Sequence, residues 1–303
     1  MKFLMFADLH YFPGVFMGGT WENLKEIQER ALAEECEFII HAGDFCHGPA
    51  KVADFVKAYN DFEIPSYHCL GNHDTDHTPY EETLQYYNIP NGYYYFDQGG
   101  YRFIVCDPNY IYVDGEYASF SRANYRKVGQ NKDYMPPKEL AWLEETIATS
   151  PYSCILISHQ SFEREADGVK NYQQVRDIIN KANEKRPNHV LMCINGHYHR
   201  DNIRILDNVC YWDMNAVRYD WVDIEHNLYP QELCEKYEKI KNTVVYNDPL
   251  YAIVTLEGNT ITIEGAKSSM FMGINREMTE NPIYDKMGRP VIPEIKSAKI
   301  TLG

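Results

Sequence analysis

Five short apolar runs, each ending in polar residues at a turn, constrain this chain more than any other feature it has. Phe3-Leu4-Met5-Phe6 leads to Asp8-Leu9-His10, Phe38-Ile39-Ile40 to Ala42-Gly43-Asp44, and Tyr67-His68-Cys69-Leu70 to Gly71-Asn72-His73-Asp74. Residues 154–157 end at Ser158-His159, and residues 189–194 lead to Asn195-Gly196-His197-Tyr198-His199. Apolar runs of this length, bounded by turn residues, read as buried strands. Helical spacing fills the intervals. Thr20 caps a stretch with Trp21, Leu24, Ile27 and Ala31 on one face, a second helix is expected over 50–60, and 171–185 carries Tyr172, Val175, Ile178, Ile179 and Ala182. Strands alternating with helices make an α/β fold, in which sites gather at the carboxyl ends of the strands.

The turns carry chemistry suited to cations. Asp8 and His10 stand two apart on an extended run, so they face the same side and can grip one ion together. The Asn72 amide oxygen can ligate a hard cation while the neighbouring His73 imidazole donates a proton. One turn thus supplies a ligand and a general acid.

Composition limits the partners. With 303 residues, 44% of them hydrophobic, the chain can bury a full core. A net charge of −15 argues against a nucleic acid lying along the surface, since such proteins present a basic stripe. The apolar start is interrupted by Asp8 and His10, far short of the roughly 20 residues of a membrane span. Eight cysteines without C-x-x-C spacing are expected to be free thiols in a cytoplasmic protein.

Taken together, Asp8-x-His10, Gly43-Asp44, Gly71-Asn72-His73-Asp74, His159 and Gly196-His197-x-His199 resemble the motif set of the calcineurin-like metallophosphoesterase family, over roughly residues 1–217. The resemblance implies a four-layer α/β/β/α sandwich of two mixed sheets flanked by helices. It implies that Asp8, His10 and His199 bind one metal, that Asn72, His159 and His197 bind a second, and that Asp44 bridges them. The donors suit Mn, Fe, Zn or similar divalent ions, and the absence of thiolates speaks against a structural zinc site. Two such ions about 3.5–4 Å apart can make a shared water a hydroxide aimed at phosphorus. With Asp8 and Asp44 counted, the centre retains about +2, enough to draw a phosphate into an acidic protein. His73 resembles the family's general acid, or it only hydrogen-bonds the phosphoryl group. Asp74 would hold its ring or steady the turn. His47 stands where purple acid phosphatases, a branch of the family, carry a metal-binding tyrosine, and so argues against that branch.

Other features frame the site. His41 reads as a satisfied core residue, and His68, His189 and His226 offer nothing beyond composition. His77, close behind the turn, reads as a substrate contact or as a solvated loop histidine. Residues 108–137 read as an irregular insertion that roofs the site, with Tyr110, Tyr112, Tyr117, Tyr125 and Tyr134 stacking on a ring and Arg122 and Arg126 neutralising phosphate. Residues 163–170 form another candidate wall. A helix over 230–241 precedes a hairpin at Gly258-Asn259, and residues 1–267 are expected to form one domain, with 268–303 a tail on it or at an oligomer contact. At Asn215-Ala216-Val217 the chain departs from the asparagine, proline, glycine and serine turn frequent in the family, which alters the expected substrate wall nearby. The expected substrate is a small, nucleotide-like phosphodiester, diphosphate or phosphomonoester. A nuclease and a non-catalytic scaffold are the alternatives.

Overall fold

A computed structural model of the protein describes residues 1–13, 20–222, 227–275, 283–285 and 288–303. His226 and Pro282 lie outside the described residues. Two six-stranded sheets pack face to face, each with helices on its outer side. In chain order the first half holds β1 (Lys2–Phe6), α1 (Trp21–Ala33), β2 (Ile39–His41), α2 (Ala53–Asn60), β3 (Ser66–His68) and α3 (Tyr80–Tyr86). It continues through β4 (Tyr94–Gln98), β5 (Tyr101–Val105), β6 (Tyr110–Val113), β7 (Glu116–Ser119) and α4 (Pro137–Ala148). The second half holds β8 (Ser153–Ile157), α5 (Tyr172–Lys185), β9 (Val190–Asn195), β10 (Asn202–Leu206), β11 (Val209–Asp213) and β12 (Tyr219–Trp221). It ends with α6 (Gln231–Lys236), β13 (Thr243–Val245), β14 (Ala252–Glu257), β15 (Thr260–Gly265) and β16 (Ala298–Thr301).

One sheet runs β16-β15-β14-β1-β2-β3, with β1, β2 and β3 parallel; the other runs β10-β11-β9-β8-β5-β4, with β5, β8, β9 and β11 parallel. The apolar runs are continuous because both faces of these strands are covered. Phe3 and Met5 of β1 enter the core between the sheets, and Leu4 and Phe6 face α1 and α2. In β8, Ile155 and Ile157 point between the sheets while Cys154 and Leu156 face α4 and α5. Phe3 joins the sheets, its ring 4.9 Å from Phe38 and 5.3 Å from Phe103. Burying each such ring contributes about 1.5–3 kcal/mol.

The expected helix at 50–60 is broken at Val52, where a 3-10 turn over Pro49–Lys51 gives way to α2. That expected over 230–241 ends after Lys236 and is followed by a 3-10 turn over Glu238–Asn242. The 108–137 segment, read as irregular, contains the β6–β7 hairpin. The stretch after residue 267 ends as β16, an edge strand paired with β15. Among the described residues no helix is long and apolar enough to cross a membrane.

Candidate metal centre

The parallel strands of both sheets deliver their carboxyl ends to one place. Past β1 the backbone turns at Asp8 and His10 with φ of 54° and 52°; Asp44 after β2 has 52°, and His197 and His199 after β9 have 68° and 51°. Left-handed φ is uncommon in residues with side chains and costs about 1–3 kcal/mol each. Neighbouring hydrogen bonds hold it in place. The Asp8 amide donates to Gly43 O (3.1 Å), the His10 amide to Asp44 O (2.9 Å), and the His197 amide to Asp8 Oδ2 (3.0 Å). Two motif glycines are required by space. A Cβ at Gly71 would stand 2.2 Å from the Asp44 amide nitrogen, and one at Gly43, where φ is +87°, would stand 2.4 Å from His159 Nδ1.

Two separate ligand-like groups stand out among the described residues, Asp8 with His10 and His199 and Asp44 with His159 and His197, and His10, Asp44 and His73 form one that overlaps both. Asp8 Oδ1 lies 3.3 Å from His199 Nε2 and 3.6 Å from His10 Nε2. Asp44 Oδ2 lies 3.0 Å from His159 Nε2 and 3.5 Å from His10 Nε2, so it stands between the groups. His159 and His197 approach to 3.1 Å, Nε2 to Nδ1. Two buried oxygens here, Asp8 Oδ1 and Asn72 Oδ1, have no hydrogen-bond partner. Leaving such atoms unmet costs about 1–3 kcal/mol each, and a pair of cations would satisfy both. The donor set of carboxylate, amide and imidazole therefore fits the two divalent ions that the resemblance implies.

The charges are arranged to match. Burial would raise the Asp8 carboxyl, but His199 and His10 beside it hold it below the usual range. Burial would likewise raise Asp44, and the charge of His159 keeps it well below its ordinary value. Burial lowers His10 to about 3 and His197 to about 3. His159 goes the other way: the Asp44 carboxylate outweighs burial and lifts it to about 10. Ligation by His159 must displace that proton.

His73 donates its backbone N–H to Asp44 Oδ1 (2.7 Å), and its ring Nδ1 meets Asp76 Oδ2 at 2.7 Å. The carboxylate on the ring is thus Asp76, three residues on in the 3-10 turn over His73–Thr75. Asp74 faces away from the ring. It is fully buried and accepts the amide N–H groups of Gly71 (2.8 Å), Asp44 (3.0 Å) and Cys46 (3.0 Å), together with the Tyr87 hydroxyl. Burial and the Asp44 charge push it up to about 7. It joins two ligand turns into one unit.

Above the centre opens a cleft of about 880 Å³. Tyr125, Arg126, Lys132, Tyr198, Arg200, Trp221 and Lys239 line it, with His47, His73 and His77. Arg126 pairs with Asp76 at 2.6 Å, whereas Arg122 is exposed and not part of the lining. Of the five tyrosines of the insertion, Tyr125 alone is in that lining, with its hydroxyl donating to Asp76 Oδ1 (2.8 Å). Tyr112, Tyr117 and Tyr134 pack on one another, and Tyr110 packs near Tyr80. The expected stacking platform is absent because the hairpin uses those rings to cover itself. From 163–170, Asp167 reaches the lining and Arg164 stacks on Tyr198 at 4.3 Å. Sequence reasoning missed Asp76 and did not tie His47 to His10. The i, i+3 spacing of His73 and Asp76 was the available signal.

A dimetal phosphatase from Danio rerio has the same fold, with a TM-score of 0.62 at 13% identity over 100% of this chain and 99% of that one. GAP50 of Plasmodium, described as the anchor in the inner membrane complex, gives 0.54 at 13% identity over 100% and 89%. Likeness at such identity speaks for the fold alone. No curated protein sequence matches the chain significantly. The model of the calcineurin-like phosphoesterase family matches residues 1–201, which include all the ligand-like side chains named above. The chain therefore belongs to the calcineurin-like phosphoesterase family and is a metal-binding phosphoric ester hydrolase.

Proposed function

We propose that the cleft hydrolyses a phosphodiester, diphosphate or phosphomonoester bond in a small nucleotide-like substrate in the cytoplasm, using two divalent cations such as Mn, Fe or Zn. Asp8, His10 and His199 would hold one cation and Asn72, His159 and His197 the other, with Asp44 spanning both. The observation that carries this reading is the pair of buried, unpartnered oxygens, Asp8 Oδ1 and Asn72 Oδ1, among converging imidazoles. When bound, a divalent pair supplies Lewis acidity toward phosphoryl oxygens and acidifies water for attack on phosphorus.

The chain's own groups do the rest. His73, with Nδ1–H donating to Asp76 Oδ2, would turn Nε2 to the leaving oxygen as its proton donor. Arg126, Lys132, Arg200 and Lys239 give the cleft a basic lining inside a protein of net charge −15, which favours an anionic ligand. A volume of about 880 Å³ is in the range of small-molecule sites. The free cysteines suit a reducing compartment.

Protein stripped of metal and reloaded with Mn²⁺ tests the reading against nitrophenyl phosphate mono- and diesters, nucleotides and dinucleotides. Metal-dependent turnover of at least one class is expected, and inertness toward all of them would end it. Metal-dependent degradation of DNA or RNA on a gel would turn it toward a nuclease.

A further inference from the structure

The imidazoles of the centre differ in what stands behind them. His159 and His199 turn Nδ1 to backbone carbonyls, Ala42 O at 2.8 Å and Tyr219 O at 3.0 Å. His10 has no carbonyl there. Its Nδ1 lies 2.9 Å from His47 Nε2. With a cation on His10 Nε2 between Asp8 and Asp44, the ring proton is on Nδ1, so His47 then accepts at Nε2 and carries its own proton on Nδ1. That nitrogen faces Asp76 Oδ2 at 3.6 Å.

A second path leads to the same carboxylate. Asn72 donates from Nδ2 to the Tyr125 hydroxyl (3.2 Å), which fixes the amide with Oδ1 toward the cation position. The hydroxyl in turn donates to Asp76 Oδ1 (2.8 Å). His73 Nδ1 and the Arg126 guanidinium share Oδ2, at 2.7 and 2.6 Å. His47, His73 and Asp76 lie close enough together to resemble a third ligand group, but the guanidinium already supplies the cation on that oxygen.

We propose that Asp76 is the common positioning residue of the centre. Through His47 it orients His10 of one cation site, through Tyr125 it orients Asn72 of the other, and it holds the His73 ring directly. Its side chain is nearly buried, accepts hydrogen bonds from three groups and faces His47 Nδ1 at 3.6 Å, so one carboxylate sets the aim of both metal sites and of the proton donor. The proposal rests on the two-cation reading above.

The test is a set of variants, each stripped of metal and titrated with Mn²⁺ by electron paramagnetic resonance, then assayed on aryl phosphate esters with leaving groups of rising pKa. Loss of an outer partner costs on the order of 10–100-fold in metal affinity. His47→Ala is expected to weaken one of the two Mn²⁺ dissociation constants by that factor, and Tyr125→Phe the other. Asp76→Asn, equal in size but without the charge that His47 and the three donors face, is expected to weaken both and to steepen the dependence of rate on leaving group. His73→Ala is expected to steepen that dependence with both constants unchanged. An Asp76→Asn protein with either dissociation constant unchanged overturns the proposal, because the carboxylate would then serve at most one site. A wild-type protein that takes up no Mn²⁺ overturns the two-cation reading itself, and an unaltered leaving-group dependence in His73→Ala overturns only the assignment of the proton donor.

Discussion

Asp44 serves both halves of the centre: Oδ2 lies 3.0 Å from His159 and 3.5 Å from His10, while Oδ1 accepts the His73 backbone N–H at 2.7 Å. Asp44→Asn removes the charge that spans the sites. Activity is expected to fall by more than the roughly 100-fold that loss of an outer partner brings, with one or both metals missing on elemental analysis. Full metal content with unchanged rate would refute it. Gly71→Ala tests the geometry with every candidate ligand residue kept. Its methyl would stand 2.2 Å from the Asp44 amide nitrogen and Oδ1, so Asp44 must move and metal affinity is expected to drop, read by the same titration. Residues such as Asp44 and Asn72 were legible because a glycine turn after an apolar run marks them. Asp76 was not, since its importance lies in which rings it meets, and His47 and Tyr125 come to it from 29 and 49 positions away.

At the scale of elements, the strands with both faces buried were the ones legible in the sequence. β4, β10 and β16 are short, partly exposed edge strands without a continuous apolar run, so pairing rather than pattern defines them. The helix faces were legible in part: Leu24, Ile27 and Ala31 of α1 and Val175, Ile178 and Ile179 of α5 are buried, whereas Trp21 is exposed. Glu139 in the first turn of α4 is fully buried, accepting the Asp107 amide N–H at 2.7 Å through Oε1 while Oε2 has no partner. Burial, then the Asp107 charge, holds its carboxyl well above the ordinary 4.5. A raised carboxyl contributes fully below pH 4.5, and that contribution is lost as pH rises toward the folded value. Glu139→Gln, which keeps the neutral shape, is expected to match wild type in urea unfolding at pH 4 and to exceed it at pH 8. The same difference at both pH values would contradict the sign.

Across the whole molecule, the centre ties the ends of two sheets whose core is shared. Its candidate ligands come from turns after β1, β2 and β3 in one sheet and after β8 and β9 in the other. Cations that bind the folded chain alone stabilise it by mass action, by about 2.7 kcal/mol at a free concentration one hundred times Kd. The melting temperature is therefore expected to rise with Mn²⁺ and fall with a chelator, and a melting point indifferent to both would mean that the turns do not close on metal. The α/β class was legible from the order of the runs and the four-layer plan from the family resemblance, whereas the pairing of β1 with β14 was not, because nothing local in either strand names its neighbour.

That pairing bears on how the protein is made. Leu4 lies between Ile39 on one side and Ile253 on the other, so the strand leading to Asp8 gains its second neighbour only once β14 has been synthesised. At ordinary ribosomal speeds of about 5–20 residues per second, that delay is on the order of tens of seconds. Full ordering of the turn after β1 thus waits for residues 252–257, and a nascent chain halted before residue 252 is expected to compete poorly for divalent cations.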